Sequence, residues 1–438
     1  MKSILLFGAG KSATVLIEYL KKVSTLNHWH VTVADANLTV AQEKVGQHDW
    51  VKAVSIQIEV EAQRKQLIQQ ADVVISMLPP ALHFLVAKDC LVLKKHLLTA
   101  SYVDDNMKQI ASEIQQQGLL FLCEMGLDPG IDHMSAMKMI AEITEVGGTI
   151  TAFYSHCGGL VAPESDNNAW HYKISWNPRN VVMAGSAGAV YKENNKIVEI
   201  DYKNIFSNCT SLKSATLPGL CYYPNRDSLQ YMQQYGLTNV ETFKRTTIRY
   251  TDYCNGWQWL VQANLTSEAL QYDTDGLSFA AFFETHFSKT NQQQLYQRIT
   301  HLPEMYALLK DIGWFDTKTL INKGVCSAAV ALQFILENKW AMQPNDKDMV
   351  LMIHEIEYLL NGKKKLHKAE LKVIGQNAMH TAMAKTVGLP LGIAATLLLK
   401  GELLLTGLHI PTHPHIYDLV LPLLEKEGVC FNTSTQSV

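Results

Sequence analysis

Neither sign of charge is in surplus. The 438 residues carry 38 lysines and arginines against 41 aspartates and glutamates, a formal net charge of −3 at pH 7. No basic block rises out of that balance, which argues against a surface built for nucleic acid or anionic lipid. Cysteine is sparse: the eight (90, 123, 157, 209, 221, 254, 326, 430) are scattered and form no C-x-x-C pair. A chain this long needs no disulfide staples, so they read as reduced thiols of a cytoplasmic protein, and no metal site is expected. The histidines of "HIPTHPH", His409, His413 and His415, lack an evident carboxylate or cysteine partner and read as a turn before the last helix. A G-x-S-x-G elbow is missing, so no serine nucleophile is indicated. The most apolar stretch, "GLPLGIAATLLLKGELLLTGL", is broken by Lys400, Glu402 and glycines and reads as a buried helix with its exit turn. "MKSILLFGAG" has one lysine and glycines at once after its apolar run, the mark of a first strand and not of a signal peptide. Internal repeats and low-complexity segments are likewise missing.

What remains is rich in core. Hydrophobic residues make up 47% of the chain and charged residues 18%, enough apolar material for two or three domains. The opening "SILLFGAGKSATVLIEYLKKV" passes from a strand into a helix whose apolar residues recur at helical spacing. Gly8, Gly10 and Ala13 between them fit G-x-G-x-x-G/A. The first glycine allows the tight turn, the second lets a pyrophosphate approach the backbone, and the small third residue brings helix and strand together. A second strand, "HVTVADAN", ends in Asp35, 25 residues after Gly10, where a carboxylate can hold ribose hydroxyls. It also suits a plain strand-end cap. As a ribose ligand Asp35 favours NAD, since a carboxylate repels the 2′-phosphate of NADP and "ADANLT" holds no lysine or arginine. "ADVVISMLPP" and "HLLTASYV" supply further strands. Strands alternating with helices imply a doubly wound parallel sheet with ligand at its carboxyl edge.

The pattern changes after Gly130. "MSAMKMIAEITEVG" reads as an amphipathic helix and "TITAFYSHCGGL" as a strand into a Gly-Gly turn. "TFKRTTIRYTDY" alternates like a strand, with Arg245 and Arg249 on one face. Residues from about Ser278 to Trp340 look helical. "DMVLMIHEIEYLLNGKKKLHKAELKVIG" reads as two strands joined by an Asn361-Gly362 hairpin turn. A helix pair follows, "AMHTAMAKTVG" and then "PLGIAATLLLKG", with Pro390 at the start of the second and Gly401 at its stop. The expected class is α/β: a Rossmann unit, a second α/β unit, a helical insert, and a return.

Several polar residues invite a chemical role. Arginine forks grip carboxylates bidentately, so Arg226 in "YPNRDS" and Arg249 in "TTIRY" point to a polyanionic substrate, although each alone could serve a structural ion pair. Ser101 and Tyr102 end a strand where a ligand would sit. "CEMGLDPGIDHM" places Asp128 before a Pro-Gly pair. That carboxylate could hold a substrate amine or move its proton, or it could cap the helix that begins near Gly130.

The strings "GLDPGIDHM", "CGGL-APE-DN", "YK-SW", "YPNRDS", "R-T-RY" and "AMAKTVGLP" occur in the order seen in saccharopine dehydrogenase of the glutamate-forming type, which the chain resembles over nearly its whole length. The resemblance implies NAD(P)-dependent oxidation or reduction of a C–N bond, interconverting saccharopine with glutamate and 2-aminoadipate 6-semialdehyde in lysine metabolism. It implies a Rossmann domain over residues 1–126, completed by about 385–438. A substrate-binding and dimerisation domain is expected over 127–275 and 341–384, a helical insert over 276–340, and a homodimer. Cofactor contacts carry over to Gly8, Gly10, Lys11, Ser12, Asp35, Ala36, Asn37, Gln57, Ile58, Leu78 and Ser101, and to Leu127, Asp128, Pro129 and Gly130 of the turn that lies along the nicotinamide. Trp176 and Asn177 close over the cofactor. Substrate contacts carry over to Ser101, Tyr102, Asp128, Arg226, Thr247, Ile248 and Arg249, with Asp128 and Tyr102 as catalytic candidates. His156, Val161 and His171 depart from the family pattern on the substrate side. Lysine 6-dehydrogenase, a carboxynorspermidine-forming enzyme, or a nicotinamide-binding regulator without turnover are the alternatives.

Overall fold

The computed structural model describes residues 1–213 and 217–437, and the chain divides into two compact units. One comprises Met1–Ile150 with Tyr358–Val438, the other Thr151–Glu357. This division differs from the expected boundaries. Residues 127–150 and 358–384 go with the first unit, and 276–340 lies within the second.

The first unit is built on strands β1 (Ser3–Phe7), β2 (His30–Asp35), β3 (Val51–Ser55), β4 (Val73–Ser76), β5 (His96–Thr99) and β6 (Leu120–Leu122). Helices α1 (Thr14–Asn27), α2 (Leu38–Val45), α3 (Glu61–Gln69), α4 (Pro80–Val92), α5 (Asp105–Gln109) and α6 (Ala111–Gln116) alternate with them. A late strand, Gly407–His409, pairs with β6, and the sheet runs in the order 407–409, β6, β5, β4, β1, β2, β3 with every pair parallel. The chain moves outward from β1 through β3 and then returns to lay down β4 on the other flank, so the order reverses between β1 and β4. That switch point opens a crevice beyond the strand ends, the general ligand position of such sheets. Strands such as "VVIS" are buried along their whole length, as a sheet covered on both faces requires. α7 (Ile131–Glu145) follows β6.

The expected helix pair near the end is one helix, Ala382–Lys400, with Pro390 inside it and Gly401 as its left-handed stop at φ +75. The reason lies in its packing on α1. A Cβ at Gly388 would stand 2.9 Å from the Leu16 Cβ, and one at Gly392 would stand 2.6 Å from the Tyr19 ring. Glycines on both sides of the proline thus seat the helix against α1, and breaking it at Pro390 would forfeit one of those contacts. This helix is long and apolar enough to cross a membrane by length and composition, and 83% of its most apolar window is buried within the fold.

The second unit centres on β7 (Thr149–Val161), whose first residues belong to the other unit. β7 runs parallel to Thr242–Tyr250, which is antiparallel to Leu220–Pro224. On the opposite side of β7 lies Asp348–Leu360. The expected strand "TFKRTTIRYTDY" ends at Tyr250, and Thr251 begins a helix that runs to Gln262. Helices Phe279–Lys289, Gln293–His301, Pro303–Asp311 and Ala328–Lys339 pack around buried Trp170, Trp257, Trp314 and Trp340. The Asn361-Gly362 turn has φ +51 and +73, the double positive φ of a type I′ hairpin, as the sequence predicts.

Replacing Gly388 by valine is expected to lower stability by about 1–3 kcal/mol, since neither the Leu16 backbone nor the helix can yield. Urea unfolding monitored by circular dichroism should show the midpoint fall without a change in slope.

Candidate functional site

The turns leaving β1 to β6 carry most of the predicted nucleotide residues. Gly8, Gly10, Lys11 and Ser12 follow β1, and Asp35, Ala36 and Asn37 end β2. Gln57 and Ile58 follow β3, Leu78 follows β4, Ser101 follows β5, and Leu127–Gly130 follow β6. Gly8 has φ +98, and a Cβ there would stand 2.7 Å from the Met77 carbonyl oxygen, so no other residue fits. At Gly10 nothing lies within 4 Å of a Cβ position, and Gly10 and Lys11 are exposed. The space over the turn is one a side chain would fill, which suits a pyrophosphate. Asp35 accepts hydrogen bonds from Ala9 N–H at 2.6 Å and Asn37 N–H at 2.8 Å, tying the phosphate turn to the ribose corner. Lys44, missed in the sequence because it lies a helix turn beyond "ADANLT", donates to the Gly10 carbonyl at 2.5 Å. Burial lowers its ammonium to about 8, against the opposing pull of Asp35. Asn37 caps α2 through Val40 N–H at 3.2 Å.

A second feature that sequence reasoning missed sits beside Ser101. The buried ring of His83 lies 2.7 Å from Ser76 Oγ through Nδ1 and 2.6 Å from Ser101 Oγ through Nε2. Burial lowers its pKa to about 4, so the ring is neutral, with one nitrogen donating and the other accepting. It fixes the Ser101 hydroxyl from behind.

The Asp128 turn is the tightest piece of backbone in this unit. Gly126 N–H donates to Pro129 O at 2.9 Å, and Ile131 N–H donates to Gly126 O at 2.9 Å. The Asp128–Pro129 bond is cis. Gly130 has φ +144, and a Cβ on it would stand 2.1 Å from Gly126 O. Buried acids brace the turn: Asp132 accepts from Gly130 N–H at 2.6 Å, and Glu124 accepts from Val103 N–H at 3.1 Å. His133 Nε2 lies 2.9 Å from the other Glu124 oxygen. Asp128 itself is half-buried. The N-cap residue of α7 is Gly130, two residues beyond Asp128. Met125 N–H bonds Thr99 O at 3.0 Å and Glu124 N–H bonds Ser101 O at 2.9 Å, so the segments carrying Asp128 and Tyr102 are knit together.

In the second unit, Arg249 dominates. Its guanidinium is buried, 5.3 Å from the Tyr172 ring centroid and 5.6 Å from that of Tyr253. Nη1 donates to the Ile248 carbonyl at 2.7 Å, Nε has no hydrogen-bond partner, and no carboxylate pairs with this charge among the described residues. The Tyr253 hydroxyl is likewise buried without a partner. Tyr223, opposite the half-buried Thr247 across the strand pair, completes the surroundings. Arg245, two steps along the same face, stacks on Tyr231 at 4.3 Å. The other predicted residues are placed differently. Arg226 is exposed on a two-residue strand with φ +52, and the Ile248 side chain is fully in the core. Trp176 is half-buried, and Asn177 is the exposed cap of the helix Pro178–Val182. His156 is buried against Thr246 Oγ1 at 2.7 Å, while His171, at φ +49, lies 2.7 Å from Asp166.

A doubly wound parallel sheet with an open Gly8–Gly10 turn and an acid at the end of its second strand defines a Rossmann-type dinucleotide-binding unit, joined in one chain to a second unit that holds a buried arginine paired with no carboxylate among the described residues. The comparisons specify it further. The saccharopine dehydrogenase NADP binding domain matches residues 4–122, and the saccharopine dehydrogenase C-terminal domain matches 126–429. The chain is 30% identical to the saccharopine dehydrogenase [NADP(+), L-glutamate-forming] of Schizosaccharomyces pombe, over 98% of both chains. It is 33% identical to the alpha-aminoadipic semialdehyde synthase of Arabidopsis thaliana over 97% of its own length, but spans only 44% of that relative. A solved structure of the apo saccharopine dehydrogenase (L-Glu forming) of Saccharomyces cerevisiae superposes with a TM-score of 0.87 at 27% identity, covering 100% of both chains. The chain belongs to the saccharopine dehydrogenase family.

The His83 assignment has a pH signature. The native ring stays neutral down to about pH 4 while the unfolded ring takes up a proton near its ordinary 6.5. The stabilisation, roughly 3 kcal/mol, is therefore complete above pH 6.5 and lost as pH falls from 6.5 towards 4. Unfolding free energies measured across that range should fall more steeply for the wild type than for His83→Gln.

Proposed function

We propose that the protein is a glutamate-forming saccharopine dehydrogenase that uses NAD and interconverts saccharopine with glutamate and 2-aminoadipate 6-semialdehyde. The observation that carries the reading is Arg249, a buried guanidinium with no carboxylate of its own among the described residues. Burying an unpaired charge costs several kcal/mol. An anionic substrate group offsets that cost, and saccharopine brings three carboxylates. Arg226, exposed, is assigned to another of them, and Thr247 to a neutral polar contact.

The turns after β1 and β2, with Gly8, Gly10 and Asp35, would hold the nicotinamide cofactor, which when bound would supply hydride-transfer chemistry for the C–N bond. The chain's own residues do the rest. Gly8 and Gly10 bring backbone to the pyrophosphate, and Asp35 takes the ribose. Ser101 is held in orientation by His83. Asp128, presented by the braced turn, holds the substrate's amine in its charged form or takes its proton, with Tyr102 on the adjoining segment as the second candidate. The nucleotide preference rests on Asp35, whose carboxylate repels a 2′-phosphate. The fungal relatives are named for NADP(+), so the assignment departs from theirs. A homodimer in the cytoplasm belongs to the same reading, supported by the family resemblance and by eight free cysteines.

The test follows reduced-nucleotide absorbance while the protein receives saccharopine, lysine or a diamine, with NAD and NADP supplied separately. Saccharopine alone should support turnover. Turnover only with lysine or a diamine, or nucleotide binding without any turnover, would refute the assignment. Arg249→Leu should raise the saccharopine KM at least tenfold, or abolish saturation, while leaving the Kd for NADH unchanged. In binding titrations the wild type should favour NADH, and Asp35→Ser should move the preference towards NADPH.

A further inference from the structure

Three cysteines far apart in the sequence converge in the second unit. Cys209 follows a short turn at Phe206–Asn208, Cys221 lies on the strand Leu220–Pro224, and Cys254 lies in the first turn of the helix Thr251–Gln262. Their sulfurs all lie within 4.8 Å of one another, and those of Cys221 and Cys254 are 3.6 Å apart. We propose that Cys209, Cys221 and Cys254 form a three-thiolate site for a single thiophilic d10 cation of the zinc, copper(I) or cadmium class.

The geometry is close to what such an ion requires. Sulfurs bound about 2.3 Å from one ion stand roughly 3.8–4 Å from each other, so the cluster need contract by less than about 1 Å. Three donors around one point suit a cation, whereas a disulfide would use two of them and strand the third. An all-sulfur donor set selects soft metals, and the hydrogen bond that the Cys209 thiol now donates to the Phe206 carbonyl at 3.0 Å would be given up on binding. Access is provided as well: Cys221 and Cys254 are buried, but Cys209 is partly exposed and offers the first ligand. Metal binding to thiols releases their protons to solvent and becomes tighter as pH rises. No spacing rule announces this cluster, since 12 and 33 residues separate its members.

The experiment uses the full chain, reduced and stripped with chelator, titrated with Cd2+ while thiolate-to-cadmium ultraviolet absorption is recorded. One cadmium per chain should saturate the signal. Cys209→Ser, Cys221→Ser and Cys254→Ser should each lose most of it, and Cys326→Ser and Cys430→Ser should keep it. An undiminished signal in Cys209→Ser would overturn the site. So would a disulfide between two of the three, found by peptide mass in freshly purified protein that takes up no cadmium. Should the buried variants fail to fold, cadmium NMR of the loaded wild type decides. A shift in the three-sulfur range supports the site, and one in the oxygen or nitrogen range refutes it.

Discussion

The turn from Gly126 to Gly130 has no room for one more carbon atom. Its two backbone bonds close so tightly that a Cβ on Gly130 would overlap the Gly126 carbonyl, and the first unit's chemistry depends on that closeness. A flexible loop would let Asp128 sample many positions. This one is pinned from below by Asp132 and by the buried Glu124–His133 pair, and from the side by the segment after β5. Polar groups buried this fully are stabilising only when each is satisfied, so the brace behaves as a unit: loss of one member leaves the others uncompensated.

The second unit uses the opposite strategy. Where Glu124 finds His133, Arg249 is surrounded by aromatic rings and a single carbonyl, and no carboxylate meets it among the described residues. Tyrosine faces attract a guanidinium without neutralising it. The charge is held in place, desolvated and available, the condition under which an arriving anion is bound most strongly.

Much of this was legible from residue order. Gly8 announced the sheet edge because its backbone, at φ +98, suits only glycine, and the left-handed Asn361-Gly362 turn was readable for a related reason, while Gly10 and Asp35 were legible from their spacing after β1 and at the end of β2. Local chemistry was also where reading failed. Pro390 signals a helix start by its missing N–H, yet packing of Gly388 and Gly392 on α1 overrides it. The helix starting at Thr251 looked like more strand because its cap position is Tyr250, a residue that makes no capping bond and fits the strand alternation before it. Arg226 and Arg249 were indistinguishable as letters, but the fold exposes one and buries the other. His83, Lys44 and Glu124 went unread because their importance comes from partners that tertiary contact alone supplies. Glu124, next to the "GLDPG" string and in an apolar run, was the one with a usable hint.

The seating of Ala382–Lys400 on α1, together with the pairing of Gly407–His409 against β6, has a consequence for synthesis. On the ribosome residues 3–122 emerge with the inner face of α1 and one flank of the sheet uncovered. Those surfaces wait until the chain has been made through the Ala382–Lys400 helix and the Gly407–His409 strand. The nucleotide-binding unit is therefore begun before the Thr151–Glu357 unit is made and completed only after it, and the nascent protein passes through a long interval in which Leu16 and Tyr19 have no helix to cover them.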